Sequence, residues 1–369
     1  MAHPITSNHD GGEHVADLDL RPNEASGLLA VDDAELLAHY GWDRAFWTVL
    51  DEVDAADCVG LIGHRAGAAL AESWAIGQLG GRRTDDGAPA QDAEALARWD
   101  GWVYVFGSHH GGKQGPIRER EQWIARFLEA DVKPDPGDRP CVDLTVVNTR
   151  FRLHRLVNDA LRERGVELLE LRPATKRAFI DATVAQLAGT PAEGRVRADD
   201  WTINIEGAEF SADGALLLGL RFPVTAAGRP LLVQLDGCAG LFEDPPRWPA
   251  VTAVWTVDAV GRGGRLAGVR DLCVVGDAVH VVTGDLDSAG KGSVIREDYP
   301  EGSETVSTHF ETHLRGEAGV ALPARTVEEF SAYPRIEGIA ADRDGQFFYV
   351  SDEDETVRLR CTPLLADRD

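Results

Sequence analysis

The reading of the fold turns on "NIEGAEFSADGALLLGLR", residues 204–221, where a glutamate stands directly before a glycine at the head of an apolar run. The run breaks at "SADG" and resumes as "ALLLGLR". Related stretches are "DAEALARWDGWVYVFGSHH" from Asp92, "GVRDLCVVGDAVHVVTGDLD" from Gly268 and "RIEGIAADRDGQFFYVSDED" from Arg335. Aligned on the acid, the heads are Glu94, Glu206, Asp271 and Glu337, spaced 112, 65 and 66 residues apart. An earlier member, "NEASGLLAVDD", has Ser26 in the acid's place, 68 residues before Glu94. A recurring period of this length is the mark of a repeat architecture.

Each unit reads as a short apolar strand, a turn and a second strand that ends in polar residues. In the last unit "GIAAD" leads through "RDG" into "QFFYV", rich in aromatic and β-branched residues. The unit at Glu206 continues through "RPLLVQLD" and "AVTAVWTVD", which makes four strands, the content of one propeller blade. The long interval contains "RLVNDALRERG" and "ATKRAFIDATVAQLAG", both with helical apolar spacing and both ending at glycine. Removing roughly 45 residues restores the period. The expectation is an all-β chain, a single β-propeller domain over residues 13–369, with a helical insertion at 155–190 after the second blade. Five blades are favoured, six if the interval around "CVDLTVVNTRFRLHRL" hides a blade without an acid. "EHVADLDL" would supply the strand that closes the ring, and residues 1–12 are expected to be disordered. A β-sandwich would leave the regular acids without a reason.

Composition narrows the function. With 43% hydrophobic residues the chain can bury a large core, and 62 acidic against 37 basic residues give a formal charge of -25. That charge repels nucleic acid and anionic lipid, so the expected partner is a small-molecule substrate or ligand, and the sequence leaves a protein partner open. Five scattered cysteines without a C-x-x-C indicate neither a disulfide framework nor a zinc cluster. No leader pattern and no membrane span stand out, which fits a bacterial-type cytoplasmic protein.

First strands line the channel of a propeller, so Glu94, Glu206, Asp271 and Glu337 should converge on its axis, with Ser26 on the same ring. Carboxylates so close repel unless a cation sits between them, and oxygen-rich sites of this kind suit calcium. The alternative is a structural device in which each carboxylate accepts backbone N–H bonds from the adjacent blade. Polar residues at second-strand ends form another group: Asp51, Ser108, His109, Lys113, Arg221, Asp285 and Asp352. Arg221 and Lys113 would hold an anion, His109 would move a proton, and Ser108, Asp285 and Asp352 would touch substrate. "GSHHGGKQG" does not match a phosphate-binding G-x-x-x-x-G-K-[ST] loop, and neither G-x-S-x-G nor H-E-x-x-H occurs.

The residues "INIEG", "LLLGLR", "YVFGSH", "RDL" and "IEGIA…FYVSDED" resemble an uncharacterised bacterial propeller family, a domain of unknown function, across about Ser26 to Asp354. More distantly, the Glu-Gly strand heads are similar to those of esterase-like phytases and of gluconolactonase or senescence-marker propellers. The latter likeness implies that Glu206 and Glu337 help hold a divalent metal. The longer blades and the helical insertion depart from those enzymes. Three functions follow as expectations. The first is a metal-dependent hydrolase of a small phosphate ester or lactone, with Glu206, His109 and Arg221 in the chemistry. The second is a binding propeller with structural calcium. The third is a glycosidase that uses channel carboxylates.

Overall fold

The computed structural model describes residues 13–18, 25–51, 53–84, 87–132, 141–259, 266–287, 292–303, 305–315, 321–331, 335–352 and 356–362. The segment 1–12, expected to be disordered, lies outside them. Strand β1 (Glu13–Leu18) pairs far along the chain, as described below. The first antiparallel meander is β2 (Ala25–Ala30), β3 (Trp42–Leu50), β4 (Val59–Arg65) and β5 (Trp74–Gln78). Strand β6 (Gly80–Arg83) then joins the second meander, parallel to its outermost strand. That meander is β7 (Ala93–Trp99), β8 (Trp102–Gly107), β9 (Trp123–Leu128) and β10 (Cys141–Asn148).

The third meander is β11 (Asn204–Phe210), β12 (Leu216–Phe222), β13 (Leu231–Asp236) and β14 (Ala250–Asp258). The fourth is β15 (Gly268–Val275), β16 (Ala278–Gly284), β17 (Thr308–His313) and β18 (Ala321–Glu329). A short parallel pairing of β14 with β18, Thr256–Asp258 against Ala321–Pro323, merges these two into one eight-stranded sheet. The last is β19 (Ile336–Ala341), β20 (Phe347–Asp352) and β21 (Val357–Thr362), whose outer edge is completed by β1. The two ends of the described chain therefore share a sheet.

The meanders stand around an axis. Strand β2 packs on β7, β7 on β11, β11 on β15, β15 on β19, and β19 back on β2, so the first strand of every meander takes part in one ring. Ring-closed meanders of this kind make a β-propeller. Their outer strands and the wedges between them hold the apolar core, for example Trp47, Trp123 and Phe127 between the first two meanders.

Near the axis, backbone meets backbone, and this is why glycine follows the strand-head residue in three of the repeats. A Cβ on Gly207 would lie 3.1 Å from Leu272 N. On Gly338 it would lie 2.8 Å from the carbonyl carbon of Gly27, and on Gly27, itself at φ +64°, 3.1 Å from Glu94 O. These first strands are also kinked. The pairing of each with its second strand slips at Glu94, at Glu206, at Arg270 and at Glu337, between the flanking matched residues. Such bulges re-aim a side chain, and they recur beside functional sites.

Helices occupy the connections. Helix α1 (Ala34–Tyr40) is capped by the Asp33 carboxylate and ends at left-handed Gly41. Helix α2 (Arg152–Glu163) lies between β10 and β11, and its apolar face of Leu153, Val157, Ala160 and Leu161 packs into the core of β11–β13. A further helical stretch follows in the segments Pro173–Thr175, Lys176–Asp181 and Ala182–Leu187. Among the described residues no helix is long and apolar enough to cross a membrane.

Candidate active site

The four kinked strand heads point into one cavity of about 620 Å³ on the axis, lined by Glu94, Glu206, Arg270 and Glu337, with Ser26 from β2. Three of the four acids expected on the ring are there. Asp271 is not: the residue that occupies the acid's place in β15 is Arg270, one position earlier, because the bulge falls between Val269 and Asp271. Asp271 is turned away, and its carboxylate accepts the N–H groups of Leu28 (3.2 Å), Leu272 (2.8 Å) and Ile339 (2.8 Å). It ties β15 to β19 and, across the ring, to β2. Burial pushes its carboxyl well above the usual range, while the three amides pull the other way.

Arg270 changes what the ring can do. Its Nη1 lies 3.0 Å from Glu206 Oε2, and its Nη2 is ion-paired with Glu337. Arg221, at the end of β12, donates from Nη1 to Glu206 Oε1 at 2.6 Å and from Nε to the carbonyl of Asp285 at 2.9 Å. Asn204 adds an N–H to the same Glu206 oxygen at 3.0 Å. Glu206 is thus a carboxylate clamped by two buried guanidiniums. Burial pulls Arg221 down, but Glu206, Asp285 and Asp287 outweigh it and leave it raised. Burial and Arg221 together lower Arg270.

These contacts test the calcium expected from the sequence. A cation in the ring would have to displace Arg270 from Glu206 and Glu337, and Asp271 could not turn to it without releasing three amides. Among the described residues no three His, Cys, Asp or Glu side chains are grouped as a metal site requires. The ring does not fit a divalent metal.

The remaining acids are crowded beside this cluster, on and around β7, which packs against β11. Glu94 has its carboxyl raised well above the ordinary value, first by burial and then by Glu206, Asp92 and Asp51, with Arg270 opposing. Asp92, two residues earlier at φ +67°, takes the hydroxyl hydrogen bond of Ser108. Burial, opposed by that bond, raises it to about 6. Glu121, beside it, is pushed up to about 8 by burial and by Asp92, although Arg118 lies 3.1 Å from its Oε1.

Of the residues expected at second-strand ends, Asp51, Ser108, Lys113, Arg221 and Asp285 line the cavity, while the side chain of Asp352 lies outside the described residues. Asp285 is held by Arg296 at 3.0 Å. His109 points elsewhere: its ring nitrogens lie 2.8 Å from Gly107 O and 3.1 Å from Thr149 Oγ1, and it is fully buried. The neighbour His110 takes the place proposed for it. Its backbone N–H donates to Ser108 Oγ at 3.1 Å, its Nδ1 meets Thr202 Oγ1 at 3.0 Å, and its ring stacks on Phe179 at 4.6 Å. Burial lowers His110 to about 4, so the imidazole is neutral at physiological pH. Asp92, Glu121, His110 and Arg270 were not singled out from the sequence. Arg270 is set by a bulge, which the regular alternation of a strand conceals, and Asp92, His110 and Glu121 lie outside the strands, where the repeat leaves no signal.

Neither the protein-family models nor the curated proteins give a match to this chain. Solved structures similar to it include the WD40 β-propeller domain of Doa1, at TM-score 0.35 and 12% identity over 97% of this chain and 98% of that one. A GH43 endo-arabinanase from Bacillus licheniformis is similar at TM-score 0.40 and 9% identity, over 94% and 96% of the two chains. A glucose dehydrogenase is similar at TM-score 0.33 and 11% identity, over 92% and 84%. Likeness at this level does not bear on the chemistry of the cavity.

Proposed function

We propose that this chain is a five-bladed propeller enzyme whose axial cavity hydrolyses a C–O bond in a small polyhydroxylated substrate by carboxyl acid–base catalysis. The observation that carries the reading is a pair of acids set apart by their surroundings. Burial and the neighbouring acids hold the Glu94 carboxyl well above the ordinary range, and Asp92, two residues away, is raised to about 6. Acids separated in this way fill the two opposed roles of a hydrolysis. Glu94 donates its proton to the leaving oxygen, and Asp92 takes one from the attacking water. The water's oxygen bonds to carbon as the C–O bond breaks, so the protons balance.

Glu206, fixed by Arg221 and Arg270, adds to burial in raising the Glu94 carboxyl and orients substrate hydroxyls. Neutral His110 supplies a further hydrogen bond. The wall offers donors and acceptors of both signs, and among its described lining residues no aromatic ring occurs other than the His110 imidazole. That favours a compact, polar ligand over an apolar ester. The sequence-based expectation of a metal-dependent phosphate-ester or lactone hydrolase has less support, since its ring of acids is bridged by arginine.

The test is hydrolysis of a panel of para-nitrophenyl glycosides and of sugar lactones by the purified chain. We expect turnover of at least one, reduced about 100-fold or more in Glu94→Gln and in Asp92→Asn with unchanged circular dichroism. The pH profile should rise through about pH 6 as Asp92 ionises and fall again at higher pH as Glu94, held above the ordinary range, ionises in turn. Saturable sugar binding by calorimetry with no turnover in the panel would replace the enzyme with a ligand-binding propeller.

A further inference from the structure

Beside the axial cavity lies a second hollow, of about 750 Å³, and it differs from the first in character. Its floor is apolar, with Ile117, Phe151, Leu187 and Ala192 all buried. Its rim carries four arginines, Arg118, Arg120, Arg150 and Arg195, and Glu119 is the one carboxylate among its lining residues. In a chain of net charge -25, four guanidiniums around one apolar floor are an exception that needs a cause.

Local structure builds this arrangement. Arg150 and Phe151 are consecutive left-handed residues, at φ 45° and 64°, and the corner they make turns the Phe151 ring inward just before α2. Arg195 Nη1 donates to the carbonyl of Arg150 at 2.7 Å, which pins the two arginine-bearing segments together. Arg150 Nε stands 4.0 Å from Glu119, and Arg118 is partly engaged with Glu121. Arg120 Nε also stands 4.0 Å from Glu121 Oε1. Burial lowers Arg195, and Arg152 and Arg150 lower it further, the sign of cations held against their own repulsion.

We propose that this groove binds a phosphate-bearing small molecule with an apolar body, its phosphate on the arginine rim and its body on Ile117, Phe151 and Leu187. Guanidiniums recognise phosphate oxygens through paired N–H groups, and several around one point suit a dianion better than a single carboxylate. The floor gives the apolar part a surface to leave water for. Arg118 and Arg120 line both the groove and the axial cavity, whereas Arg150 and Arg195 line the groove and not the cavity, so those two set this site apart from the chemistry assigned to the axis.

Isothermal titration calorimetry of the full chain at low salt, with phenyl phosphate and with inorganic phosphate, tests the site. We expect one phenyl phosphate per chain, bound about tenfold more tightly than inorganic phosphate, and weakened as salt is raised. Arg150→Ala and Arg195→Ala should each weaken it about tenfold. Gln186→Glu, an isosteric change at an exposed rim residue, should weaken it similarly without touching the fold. Asp92→Asn in the axial cavity should leave it unchanged. The absence of saturable binding, affinity unaltered by Arg195→Ala and Gln186→Glu, or equal binding of the two probes would each overturn the proposal. So would an affinity that responds to Asp92→Asn and not to Arg150→Ala, which would place the phosphate on the axis.

Discussion

Glu121 shows how a single buried acid sets a pH dependence. An ordinary glutamate loses its proton near pH 4.3, whereas this one is pushed to about 8 by burial and by Asp92. The folded chain holds that proton more tightly than the unfolded chain does. The resulting stabilisation is complete below about pH 4 and is lost as pH rises through 8, and Asp92 adds a smaller loss through 6. The melting temperature should therefore fall between pH 5 and pH 9, and Glu121→Gln, which cannot ionise, should fall less steeply. Parallel melting curves for the two proteins by scanning calorimetry would refute the assignment. At this scale the sequence was readable only to within one residue in two places. His109 and His110 are adjacent beyond the end of β8, where His109 takes a left-handed turn at φ 59°. Arg270 and Asp271 are adjacent within β15, where neighbours face opposite ways, and a bulge gives the arginine, not the acid, the inward place, which no residue pattern in "GVRDLC" announces.

Among the elements, the first strands carry the tightest constraint. A methyl group on Gly338 would come 2.6 Å from Val350 Cγ2 and 2.9 Å from Leu28 N, so Gly338→Ala must push β19 off β2. The expected loss is about 1–3 kcal/mol of stability in chemical denaturation. Gly77→Ala in β5, where the added methyl meets nothing within 4 Å, should change stability by less than about 0.5 kcal/mol. Equal effects from the two would show that the ring contact is soft. These glycines also explain why so much of the architecture was legible. The glycine after the strand-head residue, in Glu-Gly twice and Ser-Gly once, is a packing requirement repeated in three meanders, so it leaves a period in the sequence. The helical segments between β10 and β11 were visible through their apolar spacing, but their contribution of Phe179 to the wall behind His110 was not, since that contact joins residues 69 apart in the chain.

For the whole molecule, closure rests on β1 lying along β21, from Glu13 against Cys361 to Leu18 against Val357. Removing residues 13–18 would leave β21 with an open edge, its N–H and C=O groups ready to pair with another copy. The shortened chain should melt at lower temperature and grow in size with concentration in light scattering. An unaltered, monodisperse particle would show that the closing strand does not hold the ring together.

The clasp made by Asp271 has a meaning for mechanics. One carboxylate accepts from Leu28 of β2, from Leu272 of β15 and from Ile339 of β19, so it rivets three first strands at a single point. Removing the rivet, as in Asp271→Ala, would leave three buried N–H groups unanswered at once.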